Sequence, residues 1–345
     1  MSEKLSYTAA GVNIDVADAM KREMAKSIDV GDTRVLNRLG AFASLVEGQF
    51  VKYKHPVLVL KTEEPGSKQK LAFQYGRISS IGYDLINHLI NDIAVMGAEP
   101  LYVQDCVICG KIEPEVVKTL VSSMSSACQA QGCVLVGGET SEQPGVVDVG
   151  LYILSASIVG VVDKEYIIDG SKIIENDIVL AVASNGLHTN GYSLVRALIA
   201  KKPKIIHQQI DGESFLEIIM RPHKCYFQEI RDLFHLPGVK GFAHITGGGI
   251  EGNLNRILPP SLDANINRNL IRILPIFKAI RDEGSVADHD MSRTFNMGVG
   301  MTIVCAPDIA DDVVNHLEKN GCECYPIGKI VEGTGKVKFD GNLVW

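Results

Sequence analysis

Strand-like apolar runs alternate with amphipathic helical stretches along this chain, and clusters of glycine and polar residues follow the apolar runs again and again. That alternation calls for an α/β or α+β fold and excludes a simple helical bundle. Residues 57–60 read as a buried strand. Residues 84–98 read as a helix that places Leu85, Leu89, Ile93 and Met96 on one face, with Gly97 near its end. A strand over 101–107 follows. Pro114 sits where a helix takes its first residue, and the helix runs through Val117, Leu120 and Met124 to a stop at Gly132. Residues 133–136 read as a short strand ending in Gly137-Gly138, and 151–162 as a longer one. Turn residues cluster at Asp169-Gly170-Ser171-Lys172, and a domain boundary is placed there, giving domains 1–170 and 171–345. The second half restarts with a buried strand over 178–182. It continues with a helix from Tyr192, an amphipathic stretch over 226–234, a strand into Gly247-Gly248-Gly249, a helix from Ile250 and a last helix between Pro307 and Gly321. A length of 345 residues suits two such domains.

Composition removes several functions. Hydrophobic residues make up 46 % and charged residues 22 %, as in a globular protein rather than a disordered one. A net charge of −7 without any basic block argues against a nucleic-acid partner. The uncharged run between Asp148 and Asp163 holds two serines and falls short of the roughly 18 apolar residues of a membrane span. The polar start Met1-Ser2-Glu3-Lys4 shows no secretory signal, so the expected compartment is the cytoplasm. The eight cysteines sit mostly in apolar surroundings, as small core residues in a reducing setting do. Cys106 and Cys109 have the gap of a zinc pair, with Cys322 and Cys324 as conceivable partners, but the second gap is too short for a usual zinc knuckle.

The glycine–polar clusters are where chemistry can happen. Gly66-Ser67-Lys68 offers backbone donors, a hydroxyl and an ammonium, either as a phosphate cradle or as an ordinary turn. Asn91-Asp92 lies on the polar side of its helix, where Asp92 is a solvated carboxylate or a magnesium ligand. Gly137-Gly138-Glu139-Thr140 permits close backbone approach beside a carboxylate. His188-Thr189-Asn190-Gly191 either caps the helix from Tyr192 or presents donors to an anion. Gly247-Gly248-Gly249-Ile250-Glu251-Gly252 formally matches a dinucleotide fingerprint, but Arg272 stands near where an acidic residue is wanted, which favours a phosphate loop without a dinucleotide. His244 alone is either a core histidine or a catalyst. Arg293 to Gly300 reads as a turn with a bulge.

In order and together, these blocks resemble the phosphoribosylformylglycinamidine cyclo-ligase (aminoimidazole ribonucleotide synthetase) family. The resemblance opens at Tyr7-Thr8-Ala9-Ala10-Gly11-Val12-Asn13-Ile14. It passes through Asn91 to Leu101, Gly110-Lys111, Val136 to Thr140, Ile168 to Lys172 and Gly186 to Arg196. It closes with His244 to Gly249 and Arg293 to Met301. The glycine-glycine-glutamate block is also similar to selenophosphate synthetase and thiamine-phosphate kinase. The resemblance implies an ATP- and Mg2+-dependent ligase of purine biosynthesis that closes formylglycinamidine ribonucleotide to aminoimidazole ribonucleotide, releasing ADP and phosphate. It implies two α/β domains. The N-terminal sheet would pair with that of a second subunit into a barrel, as a homodimer, and helices would cover the C-terminal sheet. By the same resemblance, His244, Lys68 and Asp92 are catalytic. Gly66, Ser67, Lys68, Thr246, Gly247 and Gly248 bind ATP phosphates. Asp105, Glu139 and Asn190 bind the ribonucleotide, and Asp92 and Glu63 hold the metal. A weakened paralogue that binds nucleotides, or a related small-molecule kinase, would draw on the same parts. Three blocks depart from the family: Val146 to Ile153, with Ile153 at a usual aspartate, Ile78-Ser79-Ser80, and Thr62-Glu63-Glu64-Pro65-Gly66-Ser67-Lys68, which replaces a threonine-aspartate-glycine-valine-glycine-threonine-lysine loop. Pro65 removes a backbone donor from it, and Glu64 adds charge where glycine gives freedom of φ.

Overall fold

The computed structural model describes residues 19–20, 32–37 and 41–345. The Tyr7 to Ile14 block lies outside the described residues.

Two sheets organise the chain. The first holds β1 (Pro56–Glu63), β2 (Glu99–Cys109), β3 (Val134–Glu142) and β4 (Tyr152–Asp163) in the order β1-β4-β2-β3. Only β2 and β3 run parallel, because the helix α3 (Pro114–Ala130) carries the chain back between them. With α1 (Lys68–Gln74) and α2 (Ile78–Ala94), it covers one face. Strand alternation sends Val57 and Val59 into that core and turns Leu58 and Leu60 the other way, 52 % and 70 % exposed. Part of the second face is closed by Val35, Val46, Phe50 and Tyr53 against Leu101, Tyr102 and Val134. The rest, with Leu58, Leu60 and Ile153, stays open.

The second sheet holds β5 (Ile178–Ala183), β8 (Val239–His244), β9 (Leu262–Asn267), β10 (Val299–Cys305), β11 (Cys324–Glu332) and β12 (Val337–Asp340). Their order is β12-β9-β11-β5-β10-β8, and every residue of β10 is buried. A small hairpin, β6 (Gln209–Ile210) with β7 (Glu213–Ser214), stands apart. The helices of this half are α4 (Tyr192–Lys201), α5 (Phe215–Ile219), α6 (Phe227–Ile230), α7 (Gly249–Leu254), α8 (Pro275–Gly284), α9 (Asp288–Thr294) and α10 (Ala310–Lys319).

Several expectations shift. The helix expected over 84–98 is α2, beginning at Ile78 and ending at Ala94. Its first turns hold Ser79, Ser80 and Gly82, which hide the periodicity. Gly82 is needed there, because a Cβ would stand 2.0 Å from Ser123 Oγ on α3. β3 does not stop at Gly137-Gly138 but runs through both. Gly138 lies opposite Asp105 in the ladder, and a Cβ would come 2.1 Å from Asp105 Oδ1. The dinucleotide fingerprint is excluded by topology: β8 is an edge strand of an antiparallel pair with β10, not part of a parallel βαβ unit. All eight cysteines are free. Cys106 and Cys109 are three apart on β2, so they point to opposite faces and cannot share a metal.

Candidate active site

One helix joins the halves. Along α2, Asp84, Asn87, His88, Asn91 and Asp92 fall three or four residues apart and therefore share a face. The face is polar, yet most of it is buried, because it grips the backbone of 221–226. Asp84 Oδ1 accepts the His223 N–H at 2.7 Å, and Asn87 Nδ2 donates to the His223 carbonyl at 2.6 Å. Asn91 Nδ2 donates to the Lys224 carbonyl at 2.8 Å, and its Oδ1 accepts the Tyr226 N–H at 2.9 Å. Buried side-chain amides matched to backbone groups cost nothing further in desolvation and fix the register of the two halves.

At the far end of that face, His88 and Asp92 enter a cleft of about 520 Å³ between the halves. Lys61 and Glu63 reach it from β1, and Asn190, His244, Thr246 and Gly247 from the second sheet and its loops. Lys61 Nζ stands 3.0 Å from both Glu63 Oε2 and Asp92 Oδ2. His244 Nδ1 is 2.7 Å from Asp92 Oδ1. Burial raises the Asp92 carboxyl, but the hydrogen bond and charge of His244, with His88 and Lys61, outweigh it and hold the carboxyl well below the usual range. An ionised carboxylate only accepts, so His244 Nδ1 carries the proton of that bond.

Three more imidazoles crowd behind His244. Its Nε2 lies 2.9 Å from His223 Nε2, and Thr189 Oγ1 stands 3.3 Å from both His223 Nδ1 and His88 Nδ1. His188 stacks on His223 with ring centroids 4.1 Å apart, and neither of its nitrogens finds a partner among the described residues. Burial, with His244 nearby, lowers His88 to about 4, and burial pushes His188 and His223 down as well. At neutral pH these three offer nitrogen lone pairs rather than charge. The ammonium in the cleft belongs to Lys61.

Of the residues singled out from sequence, Glu63, Asp92, Asn190, His244, Thr246 and Gly247 meet in this cleft. Both nitrogens of His244 are engaged, by Asp92 and His223. Gly248 sits behind the wall at φ 94°, capping α7, and its N–H donates to the Arg293 carbonyl. Gly66 turns the loop at φ 66°, and Ser67 precedes α1; Glu64 is accommodated without a positive φ. Lys68 points inward: its Nζ donates to Asp84 Oδ1 at 2.9 Å and to the Arg221 carbonyl at 2.6 Å, and both side chains are 0 % exposed. Asp105 and Glu139 line a different pocket, of about 280 Å³, with Gly137, Gly138 and residues 41–44 at the β3 edge of the first sheet. Burial pushes the Asp105 carboxyl up to about 7, with the Glu139 charge adding to it.

Sequence reasoning missed Lys61, His88 and His223, and saw His188 only as part of a loop that caps a helix or meets an anion. The four-residue step from His88 to Asp92 was a signal for the second of these. His223, alone in Arg221-Pro222-His223-Lys224, carried none.

A family model described as the AIR synthase related protein N-terminal domain matches residues 51–162, and its C-terminal counterpart matches 175–340. The chain belongs to the AIR synthase family. A phosphoribosylformylglycinamidine cyclo-ligase from Methylobacillus flagellatus is 40 % identical over 342 residues, covering 98 % of each chain. One from Burkholderia pseudomallei is 40 % identical over 333 residues, covering 95 % of this chain and 94 % of that one. Among solved structures, thiamine-monophosphate kinase from Stenotrophomonas maltophilia superposes with a TM-score of 0.68 at 16 % identity, covering 97 % of this chain and 98 % of that one. The hydrogenase maturation protein HypE in complex with ATP gives 0.67 at 14 % identity, covering 96 % and 93 %. These two share the AIR synthase fold; the cyclo-ligases share the sequence of both halves as well.

Proposed function

We infer that this AIR synthase family member is a phosphoribosylformylglycinamidine cyclo-ligase of purine biosynthesis. It uses ATP to close formylglycinamidine ribonucleotide to aminoimidazole ribonucleotide, with release of ADP and phosphate. The observation that carries this reading is the cleft between the halves. There the Lys61 ammonium, the Glu63 and Asp92 carboxylates and a glycine loop converge in a chain related over 98 % of its length to such enzymes.

The formyl oxygen is a poor leaving group. Transfer of the γ-phosphoryl to it breaks the bond to ADP and makes an iminophosphate. The internal amine then attacks the formyl carbon, the C–O bond breaks, phosphate departs and the amine gives up a proton. Little covalent chemistry is asked of the protein; it positions two anionic partners and neutralises charge. Lys61 supplies a positive charge at the cleft. Thr246 and Gly247 form the wall against which phosphates would lie, and Asn253 Nδ2 fixes that wall by donating to the Gly247 carbonyl at 3.2 Å. A side chain at Gly247 would crowd Asn190, whose Oδ1 stands 3.3 Å from where its Cβ would be. His244 orients the Asp92 carboxylate beside the reacting amide. Lys68 acts from behind, tying the start of α1 to the segment at Arg221. Mg2+ fits the donor set, since Glu63 and Asp92 already converge on one cation, the Lys61 ammonium. When bound there, it would offset the charge of the transferring phosphoryl group.

The first sheet, within a domain 1–170, leaves Leu58, Leu60 and Ile153 open, and β1 and β3 as edges. In our reading a second copy covers this face, the two sheets closing into a barrel, and the pocket of Asp105 and Glu139 contributes to ribonucleotide binding. Eight free cysteines suit a cytoplasmic setting, and no helix among the described residues is long and apolar enough to cross a membrane. The test is incubation with formylglycinamidine ribonucleotide, ATP and Mg2+, with ADP release coupled to NADH oxidation and products identified by mass. Equal amounts of ADP, phosphate and a dehydrated ring are expected. ADP release with a phosphorylated, uncyclised product would replace this reading with a small-molecule kinase.

A further inference from the structure

We propose that the cleft binds a d-block divalent cation, of the manganese, cobalt or zinc class, through His88 Nε2 together with the Asp92 and Glu63 carboxylates. The inference deepens the proposed function and rests on it for the two carboxylates as metal ligands.

The argument begins with His88. It is 8 % exposed, and its Nδ1 is 3.3 Å from Thr189 Oγ1. Its Nε2 makes no hydrogen bond among the described residues. Asp92 Oδ2 stands 3.7 Å from it and Glu63 Oε2 3.8 Å. An imidazole nitrogen that opens on the cleft between two carboxylates and bonds to neither is an available ligand position. With Nδ1–H donating to Thr189, the Nε2 that faces the cleft holds a lone pair, the pattern found in histidines that bind metals through one nitrogen while the other is held by a neighbour.

A cation already marks the spot. The Lys61 ammonium bridges the same two carboxylates at 3.0 Å each. His88 and Asp92 stand one helical turn apart and so present ligand atoms to one point, while Glu63 comes from β1. His244 donates to the other oxygen of Asp92, fixing how that carboxylate is turned. Bond lengths of about 2.0–2.2 Å for nitrogen and oxygen ligands require the three side chains to close around the ion in place of the Lys61 ammonium. Lys61, partly exposed, has a path to solvent.

The donor set decides the class of ion. A site made for Mg2+ alone wants oxygen atoms and water, and gains little from imidazole. Neutral imidazole favours first-row transition ions, in an order that rises from manganese through cobalt. The other histidine trio, His188, His223 and His244, is less suited. The His188 and His223 rings are stacked only 20° from parallel, so their in-plane lone pairs do not meet at one ion.

The experiment uses the full-length, metal-free protein and the metals alone. MnCl2 is added for electron spin-echo spectroscopy, which detects 14N of a bound imidazole, and CoCl2 for calorimetric titration. One ion per chain with a nitrogen signal is expected. His88→Gln should erase the nitrogen signal and weaken Co2+ by about 10–100-fold. Lys61→Met removes the competing ammonium and should tighten Co2+ by about tenfold. A signal from oxygen ligands only overturns the proposal, as does a Co2+ affinity unmoved by His88→Gln. If that variant does not fold, an unchanged or weaker Co2+ affinity in Lys61→Met overturns it instead. Cyclisation with Mg2+ alongside an oxygen-only signal rejects this inference and keeps the cyclo-ligase; a nitrogen signal without cyclisation does the reverse.

Discussion

Lys68→Met should damage the protein through its stability. Lys68 and Asp84 are both 0 % exposed and 2.9 Å apart. Burial pushes the ammonium down and the carboxyl up, each toward its neutral form, and their mutual contact opposes both shifts. Removing the lysine leaves a buried carboxylate with the His223 N–H on Oδ1 and no partner on Oδ2, and strips the Arg221 carbonyl of its donor. Breaking a buried pair from one side costs about 3–5 kcal/mol. Asp84→Leu costs a similar amount by stranding the ammonium. The double variant removes both charges. What remains is the unpaired His223 N–H and Arg221 carbonyl, at about 1–3 kcal/mol each. Two singles sum to about 6–10 kcal/mol, whereas the double should lose about 2–6 kcal/mol, a coupling near 4 kcal/mol. Urea unfolding of the four proteins, followed by tyrosine and tryptophan fluorescence, measures the cycle. Additive losses would refute the pair as the source of stability. So would a Lys68→Met protein of unchanged midpoint whose KM for ATP alone has risen, since that outcome puts the ammonium in the cleft.

Two further outcomes follow from exposure and charge. The Asp105 carboxyl is raised to about 7 from 3.8, so the folded state holds its proton where the unfolded chain has lost it; stability therefore falls as pH rises from about 4 to about 7 and stays flat above. Asp105→Asn should flatten that dependence and gain up to about 4 kcal/mol at pH 8, by thermal melting across pH; a loss at pH 8 would mean that the carboxylate is held by contacts worth more than its burial. Leu60, 70 % exposed on the open face of the first sheet, should be covered by a second copy. Leu60→Glu is expected to shift sedimentation from dimer to monomer, and a wild type that sediments as a monomer would reject the barrel.

Much of the fold was legible because periodicity is local. The apolar run Val57 to Leu60 marked the strand β1, but not that Leu58 and Leu60 would stand exposed on one of its faces. Pro114 opens α3 because it needs no N–H there. α2 was harder: it is buried on both sides, with leucines and isoleucines in the core and a polar face locked to 221–226, so its start did not stand out by hydrophobic contrast alone. In the site, Asp92, His244 and Asn190 were visible as members of ordered motifs. Lys68 was legible as a charge but not in its direction, since nothing local says that Asp84 lies 2.9 Å away and sealed from water.

The sequence by itself determined the two-sheet α/β character, the glycine-bearing loops and the family, for these are written in short-range patterns of residue type. Tertiary structure alone decided that Lys61 and Glu63 meet Asp92, that Asp105 and Glu139 stand at another edge, and that four histidines from distant segments pack together. The reason is geometric. A side chain's partner and its degree of burial depend on which segments the sheets bring side by side, and charge, protonation and ligand choice all follow from that neighbourhood.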